Sequence, residues 1–186
     1  TLFKEGAHVV IPNTRAYSSM QVDPKIKHYN RLNFVLAELE VADIDPDAFP
    51  LLLDTDGNIS ESSGANFFLV SGGVLKTPDD GSVLQGVSRA TLLELAEKLG
   101  IPTSIEPLQP YDVYTAEEAF LCSTPYCLLP VGRVDNRKIG DKAPGEVTQQ
   151  LLAAFSEHVG VDLVDQALNF KRPEGVHGWG APIQTR

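Results

Sequence analysis

The chain has 186 residues, a net charge of −10 and a pI of about 4.7, with 42% apolar and 22% charged residues. That length suits one domain, with at most a small appendage, and can bury a core without staples. The acidic balance weighs against nucleic acid or an anionic membrane as main partner, and no apolar run approaches the roughly 20 residues of a membrane span.

In chain order, residues 8–12 (HVVIP) predict a short strand and residues 16–24 a polar loop. Residues 27–42 place Leu32, Val35, Leu36 and Leu39 at helical spacing, and the two prolines of residues 43–50 end that helix. Residues 51–54 predict a buried strand and residues 54–57 (DTDG) a tight turn. Residues 65–70 (ANFFLV) predict a strand, with Ser71-Gly72-Gly73 turning the chain into Val74-Leu75-Lys76. Ser88 reads as the N-cap of a helix through Leu99, closed by Gly100. Residues 101–108 resume extended structure. Residues 118–122 and 128–134 read as strands around a loop, residues 145–159 as a final amphipathic helix, and the Gly- and Pro-rich stretch from Asn169 as a tail. Alternating strands and helices predict a mixed α/β (α+β) domain. The first residue is Thr, and residues 1–5 lack a signal-peptide layout, so the chain reads as starting inside a longer product or after processing.

Several residues have bland readings. Cys122 and Cys127 are too far apart for a C-x-x-C motif and read as thiols of a reducing cytoplasm. His8, His28, His158 and His177 show no metal spacing. Asp43, Asp45 and Asp47 alternate like a calcium loop but lack its glycine and final glutamate. Trp179 reads as part of a loosely docked tail.

Four segments carry the chemistry: residues 24–32 (PKIKHYNRL), 53–61 (LDTDGNISE) running on to Asn66-Phe67-Phe68, 83–89 (VLQGVSR), and 120–124 (FLCST) running to Pro130-Val131. Each alone is weak. Together, in this order and spacing, the sequence resembles the class IV aminotransferases (the fold-type IV pyridoxal 5′-phosphate, PLP, enzymes) over roughly residues 6–159. The resemblance implies the large PLP-binding domain of the D-amino acid aminotransferase-like fold. Residues 1–24 would form the interdomain connection and first strand, 25–160 the PLP-binding domain and 161–186 a C-terminal tail.

The resemblance implies a role for each of seven residues. Lys27 forms the Schiff base with PLP and then serves as general base; burial would have to depress its pKa. Taken alone, Lys27 reads as an exposed lysine at a helix start. The family's asparagine three residues beyond its lysine matches Asn30 and so selects Lys27 over its neighbour Lys25. Glu61 would face the pyridine nitrogen and keep it protonated. Val87 and Ser88, opening a helix after Gly86, would give backbone N–H groups to the phosphate, with the Ser88 hydroxyl added. Leu84 would pack on the ring face. Ser123 and Thr124 would complete the phosphate site.

One feature departs from the branched-chain pattern. Where that pattern has a small residue with a free N–H after the threonine, helping to hold the substrate carboxylate, this chain has Pro125 and then bulky Tyr126. An altered pocket, as in D-amino acid or (R)-amine transaminases, gains weight. The expected activity is transfer of an amino group from an amino acid (branched-chain, D-amino acid or amine) to a 2-oxo acid. The alternatives are 4-amino-4-deoxychorismate lyase, which the KHYNRL run resembles, and a non-catalytic module. The resemblance also implies a cytoplasmic homodimer. Family members carry a smaller N-terminal domain with a phosphate-binding arginine. That domain is absent from this chain, and no arginine here occupies the position, so the isolated chain is expected to bind PLP weakly and turn over poorly.

Overall fold

A computed structural model describes residues 2–169. The order is α1 (Leu2–Glu5), β1 (Ala7–Val10), α2 (Leu32–Ala42), β2 (Phe49–Leu53), β3 (Ile59–Ser62), β4 (Asn66–Ser71), β5 (Val74–Thr77), α3 (Val87–Lys98), β6 (Thr103–Ile105), α4 (Pro110–Tyr114), β7 (Glu118–Ser123), β8 (Cys127–Val134), β9 (Arg137–Lys138), α5 (Glu146–Val159) and α6 (Leu163–Asn169). Of the predicted tail from Asn169, only Asn169, the last residue of α6, is described; the rest, with His177 and Trp179, lies outside the described residues.

The described strands form one mixed, curled sheet in the order β3-β2-β1-β8-β7-β4-β5-β6, with β9 on β8. Strand β1 runs parallel to both β2 and β8, and β5 parallel to β6. The remaining pairs are antiparallel. The period-2 alternation of strand side chains divides the interior into two cores. Phe67, Leu69, Ala119 and Leu121 point into one, with Val113 of α4. Phe68, Val70, Phe120 and Cys122 point into the other, under Leu92 and Leu95 of α3 and Leu151 and Phe155 of α5. Phe68 and Phe120 face each other across β4 and β7 and stack with ring centroids 5.1 Å apart. Between β4 and β5, Gly72 and Gly73 both take positive φ (59° and 72°), the conformation a two-residue hairpin turn needs.

Several elements differ from the sequence reading. Helix α2 begins at Leu32, five residues later than expected, so Lys27 lies on a loop. The cause is local: the Asp23 carboxylate accepts the Lys25 N–H at 3.0 Å, and the Asp23 carbonyl accepts the Ile26 N–H at 3.0 Å. These bonds fold the residues after Pro24 into a turn instead of helix. The stripe Leu32, Val35, Leu36 and Leu39 faces outward, from 46 to 63% exposed. The inward residues are Phe34, Ala37 and Val41, because Phe34 and the small Ala37 pack closely with Ala16 and Leu52. The N-cap of α3 is Gly86, and Ser88 is already helical. Residues 59–62, read within a motif, form strand β3; α4 and β9 were not anticipated. After α5 the chain enters a further helix, α6.

Candidate active site

Three structural features converge on one end of the sheet. The first is the N-terminus of α3. Gly86 is extended there (φ −67°, ψ 140°), and no side chain caps the helix. The first N–H groups of the helix have no intrahelical acceptor and carry the positive end of its dipole. A Cβ on residue 86 would land on Asn66 Oδ1, so space, not backbone angle, requires glycine here. The helix is anchored behind by Arg89, only 5% exposed, which donates to the Pro78 carbonyl at 3.0 Å and lies 3.0 Å from the Asp80 carboxylate.

The second is Glu61 on β3. Its Oε2 accepts the Leu84 backbone N–H at 3.1 Å and an Asn66 side-chain N–H at 3.3 Å. Burial pushes its carboxyl up to about 7, against the opposing pull of the Leu84 N–H and then of the Arg31, Lys27 and Arg89 cations. Among the described residues no cation forms an ion pair with Glu61.

The third is the β7–β8 turn. Ser123 ends β7 and is buried, while Thr124 and Pro125 are exposed at the tip. Burial raises the Tyr126 phenol to about 12, against an opposing pull from Ser123. The chain turns back at Cys127, whose φ is positive (56°).

These features and Lys27 enclose one cavity of about 360 Å³. All seven residues named from the sequence (Lys27, Glu61, Leu84, Val87, Ser88, Ser123 and Thr124) line it. The burial expected for Lys27 is not seen: it is exposed, as is Val87. Lys25 also lines the cavity.

Two residues at the cavity wall were not singled out for a role. Arg31 faces it with its guanidinium 4.1 Å from the Phe34 ring centroid. Its place four residues after Lys27 was the available signal. Asn66, 5% exposed, joins Glu61 to the Leu84 carbonyl (2.7 Å). An asparagine opening an otherwise apolar strand could have marked it.

The sequence pattern of the amino-transferase class IV family matches residues 3–134. The chain belongs to the class IV aminotransferases. A Methanocaldococcus jannaschii relative is 37% identical over 159 residues, 84% of this chain and 54% of its own length. The branched-chain-amino-acid aminotransferase of Pseudomonas aeruginosa is 37% identical over 109 residues, 59% of this chain and 36% of its own. Among solved structures, the Escherichia coli branched-chain amino acid aminotransferase superposes with a TM-score of 0.80 at 29% identity, over 84% of this chain and 52% of that one. The Thermobaculum terrenum branched-chain enzyme, solved in its PLP form, gives 0.77 at 29% identity, over 86% and 53%. This class IV chain thus spans about half the length of such relatives.

Proposed function

We propose that the chain is the cofactor-holding domain of a PLP-dependent aminotransferase that moves an amino group from an amino acid to a 2-oxo acid. The observation that carries this reading is the convergence of Lys27, Glu61, the α3 N-terminus and the Ser123-Thr124 turn on one cavity in a class IV chain. The residues suit PLP. Lys27 and Arg31, with no ion pair among the described residues, and Lys25, paired with Asp23, face the one carboxylate of Glu61, a balance that favours an anionic phosphate. The N-terminus of α3, uncapped by any side chain, opens on the cavity, whose size is that of a small-molecule site.

When bound, PLP supplies an electron-withdrawing ring that spreads negative charge from the substrate α-carbon. The chain's own groups divide the remaining work. The Lys27 amine would hold the cofactor and, once substrate displaces it, would carry at Nζ the proton that passes between the substrate α-carbon and the cofactor's C4′. The Glu61 carboxylate would hold a proton on the ring nitrogen. Leu84 would offer an apolar contact to the ring. The N–H groups of Val87 and Ser88, with the hydroxyls of Ser88, Ser123 and Thr124, would hold the phosphate.

The names of the relatives favour a branched-chain donor. Pro125, which cannot donate an N–H beside Thr124, favours a carboxylate site built differently from the branched-chain pattern. A homodimer, the assembly implied by the family, belongs to the same proposal; sedimentation velocity reads it.

The test is a PLP titration followed by visible absorbance, then borohydride reduction and peptide mapping. Binding with the reduced adduct on Lys27, lost in Lys27→Ala, is expected. An adduct on Lys25, or an unchanged spectrum in Lys27→Ala, overturns the assignment.

A further inference from the structure

We propose that Asn66 is a positioning residue: its carboxamide ties Glu61 to Leu84 and holds the ring-nitrogen carboxylate at a fixed place relative to the phosphate end of α3. The inference rests on the reading of Glu61 as the partner of the ring nitrogen.

The geometry is a closed set of contacts. Asn66 Nδ2 donates one hydrogen to the Leu84 carbonyl at 2.7 Å and points the other at Glu61 Oε2, 3.3 Å away. The same Oε2 accepts the Leu84 N–H at 3.1 Å. One residue, Leu84, is thus bonded to Asn66 through its carbonyl and to Glu61 through its amide. Two residues further on, the Gly86 N–H also donates to the Leu84 carbonyl at 2.8 Å, and Gly86 caps α3. Asn66 Oδ1 occupies the space a side chain at residue 86 would need. Glu61 on β3, Asn66 on β4 and the residues leading into α3 are therefore held together through one carboxamide.

This arrangement is more than satisfaction of buried backbone groups. The Leu84 carbonyl keeps its bond from Gly86 if Asn66 is removed, and Glu61 Oε2 keeps its bond from Leu84. What disappears is the second bond on Oε2 and with it the tie of Glu61 to β4, which leaves the carboxyl hinged on the single Leu84 N–H. The chemistry also calls for a carboxamide. Two donor hydrogens on one nitrogen serve both acceptors without adding charge. An aspartate of the same shape has no N–H, and its carboxylate would repel Glu61.

The test compares PLP with its 1-deaza analogue, in which carbon replaces the ring nitrogen while the phosphate is unchanged. Binding of each is measured by titration to the wild-type chain, Glu61→Gln, Asn66→Asp and Asn66→Ala. The wild type is expected to prefer PLP about tenfold or more, the usual effect of one charge-assisted hydrogen bond. Glu61→Gln should abolish the preference. Both Asn66 variants should shrink it to about threefold or less while leaving affinity for the deaza analogue nearly unchanged, since a mispositioned Glu61 is felt only at the nitrogen. If the Asn66 variants lose affinity for both ligands in parallel and keep the preference, Asn66 merely supports the loop and the proposal is wrong. Asn66→Asp, which preserves shape, provides the comparison if Asn66→Ala does not fold. A wild type that binds neither ligand overturns the cofactor reading itself. One that binds both equally overturns the role of Glu61, and the inference falls in either case.

Discussion

Asp23 grips Lys25 twice, accepting its backbone N–H at 3.0 Å and lying 2.8 Å from its ammonium. Lys27, two residues on, forms no ion pair among those found in the described residues, and its charge reaches Glu61 across the cavity. The pairing assigns the two lysines different work. Lys25 is committed to an ion pair, whereas the proposed role of Lys27 needs a side chain free of one. Lys27→Ala is expected to lower transaminase turnover by about 10³-fold or more, the scale of losing a proton-transferring group. Lys25→Ala should cost about tenfold or less. Single-turnover kinetics with an amino acid donor checks both, and equal losses would contradict the assignment.

Glu61 makes the cofactor-free chain sensitive to pH. Its folded pKa of about 7 lies above the ordinary glutamate value, so between pH 4.5 and 7 the folded chain binds more protons than the unfolded one. The stability contributed by Glu61 is therefore fully present below pH 4.5 and is lost as pH rises toward and through 7, by roughly 2–3 kcal/mol. Glu61→Gln should flatten that part of the curve. Urea melts at a series of pH values read it; a Gln variant with the wild-type slope would count against the burial of this charge.

Gly86→Ala places a methyl group on Asn66 Oδ1. The contact must be relieved by moving either Asn66 or the first turn of α3, at a cost of about 1–3 kcal/mol. PLP affinity should fall by more than global stability predicts, because both moving parts belong to the cavity. Isothermal titration beside a denaturant melt separates the two effects.

Away from the cavity, Glu118 on β7 caps α5. Its two oxygens accept the N–H groups of Val147 (2.9 Å) and Thr148 (2.8 Å), and the Thr148 hydroxyl at 2.6 Å. Thr148 is fully buried. Glu118→Ala should destabilise the fold by about 2–3 kcal/mol, since it leaves a buried hydroxyl and two helix-end donors unmatched. Cofactor affinity, measured well below the melting temperature, should stay within about twofold, because the cap lies outside the cavity.

The seven site residues were named through the family resemblance of four segments, each weak alone, and the structure brings all seven to one cavity. The long strands were legible because ANFFLV and EAFLC are short apolar runs. The start of α2 was not. Residues 27–31 continue a helical pattern, but the side chain of Asp23, outside that pattern, folds the preceding residues into a turn. Nor was the outward face of α2 readable, since the helix carries two apolar stripes and only the contacts of Phe34 and Ala37 with Leu52 decide between them. Asn66 and Arg31 escaped for a related reason. Their partners lie on other elements, and a strand asparagine or a loop arginine gains meaning only from what surrounds it.

The pairing of Asn66 with Cys122 and of Phe68 with Phe120 gives the core a second task. Slipping β4 by one residue along β7 would turn Asn66 away from Leu84 and drive Phe67 into the space of Phe68, reversing every side chain on the strand. The phenylalanines thus act as the teeth of a ratchet that admits a single setting of the chemistry. The alignment of the cavity is enforced from outside it, by residues that do not line its wall.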